Sequence, residues 1–173
     1  MVGLPLPIVG ERVIVRSMSE NDLPQYYALH ADEAVMRYIG GAETRPREEW
    51  IAGMRKHLDQ PLALTVKSTG EFAGSATLTL PGLPSYDSEL RVLMAQPYWG
   101  KCFGREVSRL LIKAAFEHLR ACSVVAIVDP ENKASLKLCA ALDFRFVEIK
   151  RDGTWDKGHH RFELPKEARG SQC

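Results

Sequence analysis

The sequence predicts a single α/β domain in which about seven strands form a layered sheet packed by helices. Strand-like and helix-like segments follow one another in the order β-α-α-α-β-β-β-α-β-α-β-β. A continuous apolar run, VVAIV at residues 124–128, is typical of a strand buried on both faces. The 173 residues suffice for one domain with a hydrophobic core. We therefore expect one domain over residues 1–173, with a peripheral lead-in at 1–10 and a peripheral tail at 166–173.

The N-terminal third of the chain predicts one strand and three helices. Residues 11–16 (ERVIVR) alternate between polar and apolar side chains, as a half-buried strand does. Ser19 suits the N-cap of a first helix, with Asp22 in the first turn, where an acid is favoured. A short second helix is predicted at residues 33–38, and a third begins around Pro46.

The middle of the chain predicts three strands and a long helix. Residues 62–66 and 72–80 have strand patterns, and Gly74 inside the second marks a candidate bulge. A strand at residues 89–95 leads through a short turn into a helix at about residues 104–119.

The C-terminal part predicts a further strand–helix unit and a hairpin. The buried strand at 124–128 is followed by a helix at 134–142 and a strand at 144–150. A turn at Asp152-Gly153 then leads into a last strand at 154–164.

Charge and hydropathy exclude several classes of protein. Lys and Arg total 23 against 22 Asp and Glu, and a net charge of +1 disfavours a dedicated nucleic-acid binder. No window approaches the roughly 18 apolar residues that a membrane helix needs. The apolar N-terminus lacks the basic region of a signal peptide, so we expect a cytoplasmic protein.

The cysteines predict free thiols and no metal site. The four cysteines form no CxxC pair and show no Cys/His ligand spacing. Without an export signal, free thiols in a reducing compartment are expected.

The turn QPYWGKCFG at residues 96–104 is the most informative local pattern. Gly100 and Gly104 flank Lys101 between an apolar strand and a long helix. Glycines in this position let backbone N–H groups approach a phosphate. Cys102 stands where a third glycine would complete such a loop. Taken alone, the turn fits a phosphate cradle or a simple strand-to-helix corner.

Four segments give the chain a resemblance to a known family. These are ERVIVRSMSENDLPQYYAL, AVMRYIGG, ELRVLMAQPYWGKCFGREVSRLLIKAAFEHL and VVAIVDPENKASLKLCAALDFRFVE. Together they resemble the GNAT superfamily of N-acetyltransferases. The pairing of YWGKxxGxE with DPENxxS resembles the branch that includes the ribosomal-protein alanine N-acetyltransferases.

The resemblance implies a fold and a reaction. The fold would have a mixed, mostly antiparallel sheet with helices on both faces. The protein would transfer an acetyl group from acetyl-CoA, as cosubstrate and without a metal, to a primary amine. The acceptor would be a protein N-terminus or a small molecule, attacking directly in a ternary complex. The resemblance leaves monomer and homodimer open and implies neither a nucleic-acid nor a membrane partner.

The resemblance also implies a cofactor site. The family's loop, (Arg/Gln)-x-x-Gly-x-(Gly/Ala), falls on residues 99–104, with departures at Trp99 and Cys102. If the Cys102 position requires a positive φ, a residue other than glycine costs on the order of 1 kcal/mol there. The residues implied to bind the cofactor are Leu93, Met94, Ala95, Trp99, Gly100, Lys101, Cys102, Phe103, Gly104, Arg105, Asn132 and Ser135.

Two residues are implied to act in catalysis. Glu89 resembles the branch's carboxylate and would accept the amine proton, directly or through water. Ser135 would donate a proton to the CoA sulfur. Many family members carry a Tyr four positions later, where this chain has Cys139. Two alternatives to Ser135 therefore stay open: the Cys139 thiol is the proton donor, or no side chain is. Asn132 also fits a simple helix N-cap, Ser135 a solvent-facing serine and Glu89 an exposed strand-end carboxylate.

Two further points stay open in the sequence. Tyr38, Trp50, Tyr86 and Trp155 suit either the acceptor side or core packing. The alternative function is a non-catalytic acyl-CoA-binding sensor or assembly module. Its support is the departures Cys102, Cys139 and Asp143, the last of which replaces the glycine of the common LGF sequence.

Overall fold

The computed structural model describes residues 3–80, 86–151 and 158–166. Within them the strands are β1 Ile8–Val9, β2 Val13–Ser17, β3 Leu62–Val66, β4 Phe72–Leu78, β5 Asp87–Met94, β6 Ser123–Val128, β7 Arg145–Lys150 and β8 His159–Pro165. The helices are α1 Leu23–Ala31, α2 Glu33–Met36, α3 Arg47–Met54, α4 Phe103–His118 and α5 Lys133–Ala141. None of the helices in these ranges has the length and hydropathy needed to cross a membrane.

The strands form one sheet in the order β1-β2-β3-β4-β5-β6-β8-β7. Strand β5 runs parallel to β6, whereas β1/β2, β2/β3, β3/β4, β6/β8 and β7/β8 are antiparallel pairs. This confirms the predicted mixed, mostly antiparallel α/β fold. The expected count of about seven strands was one short of the eight described, because the two residues of β1 are too few for a sequence pattern. β1 pairs with β2 through Ile8 and Val15, so part of the expected lead-in joins the sheet.

Most predicted elements are present, and their ends shift by a few residues. The strand predicted at residues 62–66 has those bounds, and the helices predicted at 104–119 and 134–142 begin and end one residue earlier. The turn predicted at Asp152-Gly153 lies outside the described residues. So does the beginning of the last predicted strand, whose described part starts at His159.

The chain groups into two compact units. The first comprises Met1–Thr77 and Val92–Leu110, and the second Leu78–Arg91 and Leu111–Cys173. The core of the first unit is formed by Met18, Leu23, Tyr26, Leu29, Val35, Met36, Trp50 and Ala63. Trp50 is 4% exposed in this cluster, so its role is packing.

The first helix is anchored as the sequence predicts. Asp22 accepts hydrogen bonds from the backbone N–H and the hydroxyl of Ser19, at 2.8 and 2.7 Å. Arg16 adds a bidentate pair to the same carboxylate, with both distances 2.7 Å. Burial raises the pKa of Asp22, but the bonds from Arg16 and Ser19 outweigh it and the pKa lies below its ordinary value. The carboxylate therefore stays ionised and holds the end of β2 to the start of α1.

In the second unit, β6 is buried on both faces, as its apolar run predicts. Val124 is fully buried and Val125, which points to the opposite face, is nearly so. At the start of β6, the Ser123 hydroxyl donates to Asp87 on β5. The other oxygen of that carboxylate accepts from Arg161 on β8 at 3.0 Å. Polar bonds therefore link three neighbouring strands at one end of this buried strand.

A partly buried histidine packs against the core of the first unit. The Nε2 atom of His30 is buried and has no hydrogen-bond partner among the described residues. Its ring packs against Tyr26 and Trp50, with centroids 4.6 and 5.4 Å away. Burial lowers the pKa of His30, and the charge of Glu43 opposes this only partly. The imidazole is therefore held neutral.

We expect His30 to make stability depend on pH. An unfolded histidine has a pKa near ~6.5, so the unfolded chain binds the proton at a pH where the folded chain does not. Stability is therefore complete above that pH and falls as pH drops through it. The variant His30→Phe should lose less stability than wild type between roughly pH 7.5 and 5.5, measured by urea denaturation. Equal pH slopes for the two proteins would contradict the assignment.

Gly74 allows β4 to approach the end of β5 closely. The β3–β4 register shifts beside Gly74, which agrees with the predicted bulge. A Cβ atom built on Gly74 would lie 2.1 Å from the carbonyl oxygen of Leu93. Next to this contact, the Ala95 N–H donates to the Ala73 carbonyl at 2.9 Å. The missing side chain thus sets the position of the strand end at residues 93–95.

We expect Gly74→Ala to destabilise the fold by roughly 2 kcal/mol or more, because the new methyl group must displace backbone. Gly53→Ala in α3 is the matched control, since a Cβ there meets nothing within 4 Å. That substitution should be neutral or stabilising by up to about 1 kcal/mol. Chemical denaturation of both variants measures the difference. Equal stabilities would show that the approach at Gly74 is not constrained.

Candidate functional site

A tight loop joins β5 to α4 in the first unit. It begins with the 3₁₀ turn Gln96–Tyr98 and ends at Phe103, the first residue of α4. Gly100 and Cys102 both have left-handed backbone, with φ of 69° and 62°. Left-handed residues in a turn direct neighbouring N–H groups toward one side, which is how backbone concavities bind anions.

Consecutive N–H groups at the helix end of this loop are open. Those of residues 100–104 donate to no backbone carbonyl among the residues that the structure describes. The Glu106 N–H, by contrast, donates to the Cys102 carbonyl at 3.1 Å. The 16 residues of α4 place the positive end of the helix dipole behind the same groups. The loop therefore has the backbone geometry of a phosphate cradle and is more than a corner.

Two departures from the family pattern occupy left-handed positions. Cys102 stands at a positive φ where the family has glycine, so the cost of on the order of 1 kcal/mol applies. Asp143 also has a positive φ, 61°, just after α5. There the N–H of Phe144 donates to the Cys139 carbonyl at 3.0 Å and closes the helix end. Asp143 thus has a backbone explanation that the sequence did not provide.

The strand side of the loop is held by side chains. The Trp99 indole N–H donates to the Met94 carbonyl at 2.7 Å. Trp99, which departs from the Arg or Gln of the family's loop, therefore has a structural role. Gln96 donates to both carboxylate oxygens of Asp32, at 3.0 and 2.8 Å. Asp32 in turn accepts from the N–H groups of Ala34 and Val35 and caps α2.

The helix side of the loop is held by two residues that sequence analysis did not single out. Glu106 accepts from the Arg12 side chain, Nε to Oε2, at 3.0 Å. Arg12 Nη1 also donates to the Lys101 carbonyl at 2.9 Å. Glu106 is the last residue of the motif YWGKxxGxE, so the sequence marked its position but suggested no role for its side chain. No motif marked Arg12.

In the second unit, the structure brings Asn132 and Ser135 together at the start of α5. Asn132 Oδ1 accepts from the Ser135 N–H at 3.0 Å, so Asn132 is the helix N-cap. The Ser135 hydroxyl makes no hydrogen bond among the residues that the structure describes, which leaves it available to a ligand. Cys139, one turn later, is 5% exposed, and burial raises its pKa to about 11. That thiol is a weaker acid than an ordinary cysteine, which argues against Cys139 as the proton donor.

Glu89 lies on β5 and is already paired. Its Oε1 accepts from Arg91 Nε at 2.6 Å, and its side chain is 25% exposed. Its N–H donates to the hydroxyl of Thr79 at 2.6 Å. Glu89 is therefore a positioned carboxylate and not a free strand end.

Other residues raised by the sequence are distributed as follows. Tyr38 lies 5.3 Å from the Arg37 guanidinium, and Tyr86 is exposed with a positive φ. Trp155 lies outside the described residues. Among the described ranges, no group of three or more His, Cys, Asp or Glu side chains is arranged to hold a metal ion.

Two bacterial protein sequences resemble the chain. A Bacillus subtilis protein named "Uncharacterized protein YkkB" is 25% identical over 157 residues, covering 87% of this chain and 90% of that protein. A Bacillus licheniformis protein named "Uncharacterized N-acetyltransferase p20" is 30% identical over 96 residues, covering 56% and 54%.

Solved structures share the fold. A GNAT-family acetyltransferase from Bacillus anthracis superposes with a TM-score of 0.80 at 17% identity, covering 92% of this chain and 98% of that one. The spermidine N-acetyltransferase from Vibrio cholerae, in complex with CoA and spermine, gives 0.78 at 15% identity and covers 89% and 95%. At these identities the likeness establishes the fold.

A family model decides the assignment. The model described as "Acetyltransferase (GNAT) domain" matches residues 12–145, which include both the loop before α4 and the start of α5. A match over more than half of the chain, on the fold described above, means that this chain belongs to the GNAT acetyltransferase family.

Proposed function

We propose that the protein transfers the acetyl group of acetyl-CoA to a primary amine by direct attack in a ternary complex. The observation that carries this is the run of open N–H groups at residues 100–104, at the positive end of α4. A pyrophosphate is the part of acetyl-CoA that such a cradle suits. We place the protein in the branch of ribosomal-protein alanine N-acetyltransferases, on the pairing of YWGKxxGxE with DPENxxS. It acts as a cytoplasmic enzyme with one catalytic domain.

Acetyl-CoA is held mainly by backbone groups. The pyrophosphate accepts from the N–H groups of residues 100–104, and Trp99, Lys101 and Arg105 lie in the same segment. The pantetheine arm pairs with the strand end at residues 93–95, which the contact with Gly74 positions. Asn132 stays the N-cap of α5, and its side chain orients the turn that carries Ser135.

Proton transfer is assigned to two side chains. Glu89 accepts a proton from the substrate ammonium, directly or through one water molecule, and this frees the amine lone pair that attacks the acetyl carbonyl. Its ion pair with Arg91 positions the carboxylate for either route. Ser135, whose hydroxyl has no partner among the described residues, donates a proton to the departing CoA thiolate. N–H groups and proximity supply the rest of the rate enhancement.

The non-catalytic alternative loses two of its three supports. Cys102 and Asp143 occupy left-handed backbone positions, where a side chain affects backbone energy and does not remove a reacting group. Cys139 remains, but a buried thiol there is compatible with Ser135 as the donor. Catalysis is therefore the better-supported function.

The acceptor screen is the decisive experiment. The protein is mixed with acetyl-CoA and with N-terminal peptides, amino acids, aminoglycosides or polyamines, and free CoA thiol is monitored. Polyamines are included because the related Vibrio cholerae enzyme is a spermidine N-acetyltransferase. We expect at least one amine to stimulate CoA release. Binding of acetyl-CoA without stimulation by any amine would favour the sensor instead.

With a true acceptor in hand, Glu89→Gln should lower kcat by about 10²- to 10⁴-fold, the usual contribution of a general base. Acetyl-CoA affinity should not change. Glu43→Gln is the matched control, since Glu43 is also paired with an arginine, at 2.6 Å from Arg45. Unaltered turnover in Glu89→Gln would remove Glu89 from the mechanism.

Cys102→Gly should bind acetyl-CoA at least as tightly as wild type and be more stable by about 1 kcal/mol or less, because glycine has no Cβ clash at positive φ. Cys102→Ala keeps the Cβ atom and removes only the thiol, so it should behave like wild type. Calorimetric titration with acetyl-CoA and thermal unfolding measure both effects. Weaker binding in both variants would reveal a role for the thiol.

A further inference from the structure

Arg12 and Glu106 form a clamp on the helix side of the loop. Glu106 Oε1 accepts from the backbone N–H groups of Arg12 and Val13, at 2.8 and 3.2 Å. Its Oε2 accepts from Arg12 Nε at 3.0 Å, and Arg12 Nη1 donates to the Lys101 carbonyl at 2.9 Å. We call these four bonds the Arg12–Glu106 clamp. The clamp joins the residues at the start of β2 to the loop and to the first turn of α4.

Packing around the clamp leaves little freedom. The Arg12 guanidinium lies over the Phe103 ring, 4.8 Å from its centroid, and that ring meets Tyr98 edge-on. A Cβ atom on Gly10 would lie 2.6 Å from Glu106 Oε1 and 2.8 Å from Leu110 Cδ1. Glycine at position 10 is therefore what leaves space for the carboxylate.

The charge of the clamp is matched to an anion site. A carboxylate so near the open N–H groups would repel a phosphate if it were unpaired. Burial raises the pKa of Glu106, yet the bonds from Arg12 and Val13 outweigh this, so its pKa lies below the ordinary value. The Arg12 guanidinium neutralises that permanent negative charge.

The bond to Lys101 orients the cradle. In a planar trans peptide the carbonyl and the following N–H point in opposite directions. Arg12 Nη1 fixes the Lys101 carbonyl on the clamp side, so the Cys102 N–H points to the opposite side. Cys102 is also the non-glycine residue at positive φ in this loop, where the backbone has most reason to relax.

We propose that Arg12 and Glu106 are positioning residues for acetyl-CoA, which hold the loop at residues 100–104 in the form that binds the pyrophosphate. This rests on the proposed function and adds two residues that bind no ligand themselves. Loss of the clamp lets the loop populate other forms. If the competent form falls to about a tenth of the population, the apparent Kd rises about tenfold.

Three variants break the clamp in different ways. Arg12→Lys cannot bond Glu106 and Lys101 as one fork. Glu106→Gln keeps an acceptor for the two backbone N–H groups but loses the charge. Gly10→Ala displaces the carboxylate and changes no charge. The control is Arg16→Lys, which weakens another bidentate pair of β2, Arg16 with Asp22, away from the loop.

The measurements are thermal unfolding, the Kd for acetyl-CoA by calorimetry, and steady-state kinetics with acetyl-CoA and with S-acetylpantetheine, which lacks the pyrophosphate. We expect clamp variants to raise the Kd and KM for acetyl-CoA about tenfold or more. Their KM for S-acetylpantetheine should stay at the wild-type value. Arg16→Lys should lower the unfolding temperature as much as the clamp variants do, but it should leave the Kd for acetyl-CoA within about twofold of wild type.

Three results would overturn the proposal while leaving the proposed function intact. The first is wild-type acetyl-CoA affinity in all three clamp variants. The second is an equal loss of affinity in Arg16→Lys, and the third is an equal loss toward S-acetylpantetheine; either of these would mean that the clamp only supports the fold. A wild-type protein that binds no acetyl-CoA would overturn the proposed function and this inference together.

Discussion

A helix cannot pair its own first N–H groups, and this constraint organises the first unit of the protein. At the start of α4 the N–H groups of residues 100–104 stay open within the described part of the chain, while three neighbouring polar groups are bonded elsewhere. Glu106 is occupied by Arg12 and Val13, the Lys101 carbonyl by Arg12, and the Trp99 indole by Met94. The cost of unpaired amides is thus confined to a place where an anion can offset it.

Two glycines outside the loop contribute as much as those within it. Gly10 leaves space for the Glu106 carboxylate, and Gly74 lets β4 reach the Leu93 carbonyl. Gly10 thus helps to fix the position of the helix side of the loop, and Gly74 helps to fix the position of the strand end before it. In both cases the missing Cβ atom permits a close approach, and Gly74 also has a φ of 157°, which residues with a side chain disfavour. The geometry of the loop is therefore fixed in part by residues that lie outside it.

Sequence reasoning succeeded where the signal is local and periodic. The buried run of β6, the helices α4 and α5 on either side of β6, and the Ser19–Asp22 cap follow from spacing alone. β1 is too short to show a period, and the Arg12–Glu106 pair joins residues 94 positions apart, which one sequence cannot connect. Cys102 and Asp143 looked like defects because residue identity does not reveal φ. Asn132 was placed correctly at a helix start. The Asn of the family's N-x-x-S motif is the same residue that caps α5.

The open N–H groups also tie the stability of the chain to its ligand. A group that is bonded only when a ligand is present contributes to the folded state and not to the unfolded one. A cosubstrate present at about a hundred times its Kd adds about 2.7 kcal/mol to the free energy of unfolding. For a domain whose whole margin is about 5–15 kcal/mol, that is a substantial share. The lifetime of the folded chain in a cell would then rise and fall with the supply of the anion that occupies the loop.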